Sequence, residues 1–328
     1  MNIKTFILIL IAGSFLLNAC QKNTDVFVPD PGQLNGPDTG WYSTVTSAMP
    51  VSILRNNLLV EPYQDSITVN ASMASIATPF GMQLNFPPNS CVTSAGQIVT
   101  GKVQVELQVV KKKGDMIRLN KPSTFNDSLM TTAGEIFIRL KKEGQILQLA
   151  PNVRINIRYV DLPTNPLVKF FIGDETNAER FNWLPTPTPF IDTIIITPQV
   201  YEIYTNQLRW ISIASFYDVG NPTTRLSVTA DMAPQFTNAN TIAFTVFKDF
   251  RSVVAMHGHF SSRKFITGEL PVGKQITVVV VSRLGNDYYL GNESVTTQMP
   301  GSGSLIQHVR VVPIKKSFTE ILSYLSSL

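Results

Sequence analysis

Of the 328 residues, 44% are hydrophobic and 15% charged, a balance that excludes disorder for the bulk of the chain and describes a well-cored body with a sparsely charged surface. Lys and Arg number 27 against 23 Asp and Glu, a formal net charge of +4. That is too little over this length to form an electrostatic footprint for nucleic acid.

Met1 to Thr5 carries Lys4, residues 6–17 are apolar, and Leu17-Asn18-Ala19-Cys20 follows at once. A basic start, a hydrophobic stretch and small residues at a cut site make an export signal over residues 1–19. As a helix the apolar stretch measures about 18 Å against a hydrocarbon core near 30 Å, so it does not span. Its ending resembles the lipobox of bacterial lipoproteins, in which the Cys is acylated and becomes the first mature residue. The resemblance implies lipidation of Cys20 and a membrane partner reached through acyl chains. Gln21 comes next. In enterobacterial sorting an Asp there retains a lipoprotein at the inner membrane, so the resemblance implies outer-membrane delivery, on the surface or periplasmic face.

Residues 20–46 hold the lipidated Cys and then Pro29, Pro31, Gly32, Gly36, Pro37 and Gly40 among polar residues. This composition reads as a flexible tether. Extended, it reaches about 80 Å. The remaining length suits two domains. With Cys20 acylated, Cys91 is the remaining thiol, so no disulfide is expected and stability rests on packed cores. Beside Pro87-Pro88-Asn89-Ser90 it reads as a small residue tucked under a turn.

From there the dominant period is two. Val103, Val105, Leu107 and Val109 alternate with Lys102, Gln104, Glu106 and Gln108, and Val153, Ile155, Ile157 and Tyr159 alternate with polar residues. Each segment is a strand with one buried face and one wet face. Lys111-Lys112-Lys113 reads as a solvated hairpin tip. Residues 135–140 and 145–149 flank Lys141-Lys142-Glu143-Gly144, a hairpin turn marked by Gly. Residues 162–190 are irregular and end in Leu184-Pro185-Thr186-Pro187-Thr188-Pro189, an extended connector that places a domain boundary at 190/191. Beyond it come short strands over residues 193–197, 208–216, 226–230, 242–247, 253–257, 276–282, 288–290 and 306–312. The unbroken aliphatic run from Ile276 to Val281 is expected at the centre of a sheet, covered on both faces. At the end, Phe318, Ile321, Leu322, Leu325 and Leu328 form a helical stripe, and Ser317 with Glu320 matches a capping box. The expected fold is therefore all-β, with two consecutive β-sandwich domains over residues 47–190 and 191–328 and a short C-terminal α-helix docked on the second.

Leu84-Asn85-Phe86-Pro87-Pro88-Asn89-Ser90, followed by the strand from Gly101 to Val110, resembles the Ile-x-Ile-Pro-Pro-Gly-Ala opening of the β-sandwich domain of netrin receptors, ankyrins and tight-junction scaffolds. Asn89 stands where that family has Gly. The segment Thr131 to Ile138 and the aromatic strand Arg209-Trp210-Ile211-Ser212-Ile213 resemble later parts of bacterial versions. The resemblance covers residues 75–160 and implies a sandwich acting in assembly or adhesion, with no catalytic site to transfer.

Candidate chemistry is sparse. Gly-x-Ser-x-Gly, Walker, dinucleotide-binding and His-Glu-x-x-His patterns do not occur, so no enzyme and no cofactor are expected. His259-Phe260-Ser261 matches the tripeptide at which relatives of that sandwich cut themselves, where a Ser hydroxyl attacks the preceding carbonyl. His257 and His259 share a strand face and, with His308, pose a metal question. So does the acidic loop of Asp174, Glu175, Asn177 and Glu179; in both cases no metal is the expectation. Trp41, Trp183, Tyr288 and Tyr289 are the candidate binding residues, since exposed rings stack on sugars, although such rings more often pack internally. The expected partner is an unknown protein or glycan.

Overall fold

A computed structural model describes residues 40–177, 180–217, 224–301 and 303–328. The leader, Cys20 and the tether as far as residue 39 lie outside the described residues. The chain is mostly β, built from several sheets, with a short helix at its C-terminal end.

The first half forms two sheets. Strand Tyr63–Val69 pairs with Gly101–Val110, and that strand pairs with Ser128–Lys142, the longest in an eight-stranded sheet. Arg209–Phe216, Lys169–Asp174 and Asn182–Pro185 extend the sheet in that order. A five-stranded sheet runs Thr193–Ile196, Tyr201–Thr205, Ile155–Tyr159, Met82–Phe86, Ala74–Ala77. Alternation explains how they meet. Val103, Val105 and Leu107 from one sheet and Leu84, Ile155 and Ile157 from the other are all fully buried in one shared core. Cys91 is buried with them on a two-residue strand, Cys91–Val92, paired to Leu149.

Two turns follow from their residues. Lys141 faces Ile146 and Lys142 faces Gln145, with Glu143 and Gly144 between them at φ 51° and 80°, the left-handed pair that a two-residue hairpin needs. At the double proline, Asn89 has φ 54° and donates its N–H to the Asn70 carbonyl. Asn tolerates this left-handed conformation where a branched side chain does not, so it fills a position suited to Gly.

The boundary expected at 190/191 is corrected by strand pairing. Residues 162–190 contain two strands of the eight-stranded sheet, and Thr193–Ile196, Tyr201–Thr205 and Arg209–Phe216 all pair within the first half's sheets. The chain passes to its next sheet between Phe216 and Arg225. Proline composition misleads here because Pro185 ends the outermost strand, the place in a sheet where proline is tolerated.

The nine-stranded sheet of the second half contains Arg225–Asp231, Thr241–Phe247, Val253–His259 and Gln275–Leu284, close to their expected bounds, and Asp287–Thr296, which runs well past the expected 288–290. Ile306–Arg310 joins Arg225–Asp231 in parallel. Gln275–Leu284 lies between Thr241–Phe247 and Asp287–Thr296. Its Ile276, Val278 and Val280 enter a core inside this sheet, while Val279 and Val281 enter a second core on the opposite face. That double burial accounts for the unbroken aliphatic run.

The second core joins the halves. It takes Phe137, Phe171, Trp183 and Trp210 from the eight-stranded sheet and Phe244, Val253, Val279 and Val281 from the nine-stranded one. Three helices close it. Helix α1, Pro50–Leu58, begins on a proline and buries Val51, Leu54 and Leu58. Helix α2 is Lys113–Arg118, so the lysine run is no hairpin tip: Lys113 Nζ donates to the Phe247 and Lys248 carbonyls, and Lys111 Nζ to that of Val160. Helix α3, Phe318–Ser326, carries the expected capping box and buries Ile321 and Leu325. It packs on α2, not on the second half alone. A Cβ at Gly114 would stand 1.7 Å from the Leu325 carbonyl oxygen, so only glycine admits this approach. Residues Thr39–Leu328 form one compact unit. Among the described residues no helix is long and apolar enough to cross a membrane.

Candidate functional site

Beside the shared core lies a cavity of about 310 Å³, at the small end of the ~300–1,000 Å³ range of ligand sites. Ile242, Phe244 and Phe265 give it an apolar floor. Five residues from separate segments supply much of the polar wall. Arg55 comes from α1 and stands next to Leu54, whose full burial pins that helix. Asn120 ends α2 at φ 51°, with the Lys121 N–H returning to the Met116 carbonyl at 2.8 Å, a helix stop that Asn tolerates. Arg180 follows the strand Lys169–Asp174, its N–H held by the Asn177 carbonyl at 3.2 Å. His257 and Asn238 come from the second half.

Asn238 also holds Tyr42, which lies within the stretch 20–46 read as a flexible tether. Residues 41–45 of that stretch lie against the body, because Trp41 and Tyr42 find partners there. Asn238 Nδ2 donates to the Tyr42 carbonyl at 2.6 Å and its Oδ1 accepts the Tyr42 N–H at 3.0 Å. Trp41 is thereby held against Phe265, with ring centroids 5.1 Å apart. Among the described residues the lining carries guanidinium, imidazole, carboxamide and hydroxyl groups and no carboxylate. Groups of these kinds are hydrogen-bond donors of the sort that line sites for oxygen-rich ligands, and Arg55, Asn177 and His257 also have partners within the chain.

The residues singled out in the sequence are not brought together. Trp183 is fully buried and donates its Nε1–H to the Pro122 carbonyl at 2.9 Å, so it offers no ring to a ligand. Tyr288 packs on Phe318 and accepts a hydrogen bond from Asn57 Nδ2, while Tyr289 meets the ring of Phe236. Trp41 alone of the four stands beside the cavity, half-buried.

His257, His259 and His308 form no ligand set among the described residues. His257 faces Ile266, Ile266 faces Thr229, and Thr229 faces His308. The two imidazoles therefore sit three strand spacings apart, roughly 14 Å. His308 Nδ1 meets Asp231 at 3.2 Å and Thr229 at 2.9 Å. In the acidic loop, Asp174 Oδ1 accepts from the Thr176 N–H and hydroxyl, which holds its carboxyl below the usual range, and Glu175 pairs with Arg209 and Lys121. Glu179 lies outside the described residues. His259-Phe260-Ser261 forms an exposed turn, with Ser261 Oγ 3.1 Å from His259 Nδ1. The left-handed residue of that turn is Arg263, two positions beyond Ser261.

No family model matches this chain, and no curated protein matches it.

Function is therefore read from the site's own geometry. Sequence spacing gave no warning of the cavity, because residues 55, 120, 180, 238 and 257 are brought together only by the packing of the two halves. The nearest local signal is Asn120 directly before Lys121, a helix-stop residue in a stretch to which periodicity assigns no element.

Proposed function

We propose that this chain is an exported lipoprotein, acylated on Cys20 and held at the outer membrane. Its body of two β-sandwich lobes works without catalysis, presenting binding surfaces in adhesion or envelope assembly. The observation that carries the reading is the cavity between the halves, where Arg55, Asn120, Arg180 and His257 surround an apolar floor. That arrangement suits holding a partner's oxygen atoms. The left-handed Asn89 at the double-proline turn supports the resemblance to the netrin-receptor and ankyrin sandwich, and the lipobox supports the membrane address.

Replacing Cys20 tests the anchor. Native chain is expected in the membrane fraction with an acylated amino terminus, and Cys20→Ser in the soluble fraction; membrane retention of the variant would count against the reading. Crosslinking in intact cells is expected to recover adhesion or envelope-assembly proteins.

A second reading, a carbohydrate-binding accessory lipoprotein, is favoured by the same donors with Trp41 packed alongside. Calorimetry with acidic and neutral oligosaccharides decides it. Binding weakened tenfold or more by Arg180→Ala supports it, and no heat with any sugar removes it. Two fragments split near Phe260 on a denaturing gel would instead favour self-cleavage at His259-Phe260-Ser261.

A further inference from the structure

Glu135 lies on the strand Ser128–Lys142, two residues from Phe137, and so points with it into the core shared by the halves. Its side chain is fully buried, and neither carboxylate oxygen has a hydrogen-bond partner. A buried carboxyl is tolerated far better neutral than ionised when no donor meets it.

The bonds that stitch the halves together flank this residue. The Thr132 N–H donates to the Arg251 carbonyl at 3.2 Å, and the Ser123 N–H donates to the Val253 carbonyl at 2.7 Å. The Arg251 guanidinium donates to the Ala133 carbonyl at 2.6 Å and to Asp161 at 2.9 Å. Glu135 therefore sits two to three residues along the same strand from Thr132 and Ala133, which meet Arg251 across the seam.

The charged groups that face it are already engaged. Lys121, from the loop after α2, lies 3.7 Å from the Glu175 carboxylate and 3.7 Å above the Phe181 ring. Arg251, from the turn before Val253–His259, is held by Asp161 and Ala133. On the adjacent strands the residues opposite Glu135 are Val110 and Ser212, both uncharged. Further along the same sheet, Glu106 is taken up by Arg139 and Lys141. From the five-stranded sheet, Tyr159 donates its hydroxyl to the Ala133 carbonyl at 2.9 Å.

We propose that Glu135 is a proton-operated latch on the seam: with its proton the two halves stay closed, and on losing it the seam loosens. Burial pushes its carboxyl well above the ordinary value of 4.5, against the pull of Lys121 and Arg251. A folded-state value above the unfolded one means this contribution is complete below the ordinary carboxylate range and is lost as pH rises through the raised value. Lys121 works in the opposite sense. Burial pushes it down to about 8, so its own contribution improves as pH rises from there towards 10.5, and a whole-chain pH profile mixes the two. The test must therefore remove Glu135 alone.

Thermal midpoints and amide exchange of the full chain, native and Glu135→Gln, are compared from pH 5 to pH 9. The expected result is a native midpoint that falls relative to the variant by about 3 °C or more across that range. Protection at the Ser123 and Thr132 amides, corrected for intrinsic exchange, should fall at least tenfold more in the native chain. Glu135→Leu, which carries no titratable group, is expected to follow the Gln variant. Parallel pH profiles for native chain and variants would overturn the proposal, as would failure of both variants to fold at pH 5, since the carboxyl would then be serving a different contact.

Discussion

At Gly134 there is no room for a side chain. A Cβ there would lie 2.1 Å from the Tyr159 hydroxyl oxygen, and that fully buried hydroxyl is committed to the Ala133 carbonyl. Gly134→Ala is expected to destabilise the fold by about 2–3 kcal/mol in denaturant titration. Adding Tyr159→Phe should recover part of the loss, because it removes the nearest clashing atom; no recovery would mean that the ring carbons that remain, or the lost bond to Ala133, outweigh it. Nothing local to the segment Thr131 to Ile138 marks Gly134 as special, since its constraint comes from a ring on the opposing sheet. Glu106 is a similar case. It falls on the wet side of an alternating strand, yet it is nearly fully buried beneath Arg139 and Lys141.

Helix α3 was legible in the sequence because both of its signals are local: a stripe at helical spacing and a cap three residues apart. The cap closes in both directions, with Ser317 Oγ accepting the Glu320 N–H and Glu320 Oε2 accepting the Ser317 N–H. Ser317→Ala should cost about 1 kcal/mol, read from chemical unfolding. Bonds from Lys316 and Ser317 hold the Glu320 carboxyl down to about 2. The folded value is depressed, so its contribution is present above the ordinary 4.5 and is lost as pH falls through about 2. Exchange protection in α3 should fall in that window, and Glu320→Gln should make protection independent of pH there. A native profile that matches the Gln variant would refute the assignment. Helix α2 was not legible. It is six residues long with Gly in its first turn, a poor helix by propensity, and that Gly is required by the Leu325 carbonyl more than two hundred residues away in sequence.

The shared core makes the two halves one folding problem. Trp183 and Trp210 contribute from one half, and Val279, Val281, Ile321 and Leu325 contribute from the other. Tryptophan fluorescence and far-ultraviolet dichroism should therefore report a single coincident transition. Leu325→Ala should lower the stability seen by both probes by about 2–5 kcal/mol. Two separated transitions would show that the halves are thermodynamically independent.

The strands Gly101–Val110, Ile155–Tyr159 and Gln275–Leu284, the Gly-marked hairpin at Glu143-Gly144 and the end helix follow from periodicity and turn residues alone, whereas Lys169–Asp174 and Asn182–Pro185 lie in a stretch whose composition reads as connector. Side-chain alternation reports how many faces a segment buries. The aliphatic run from Ile276 to Val281 thus announced two covered faces without naming what covers them. Which sheet a strand joins depends on pairing across long sequence separations, and so residues 193–216 returned to the first half despite the prolines before them. The same holds for Trp183, which packing turned from a candidate platform into core, for the cavity wall, and for the carboxyl of Glu135. Each owes its environment to neighbours distant in the chain, and that information exists only once the sheets have closed on one another.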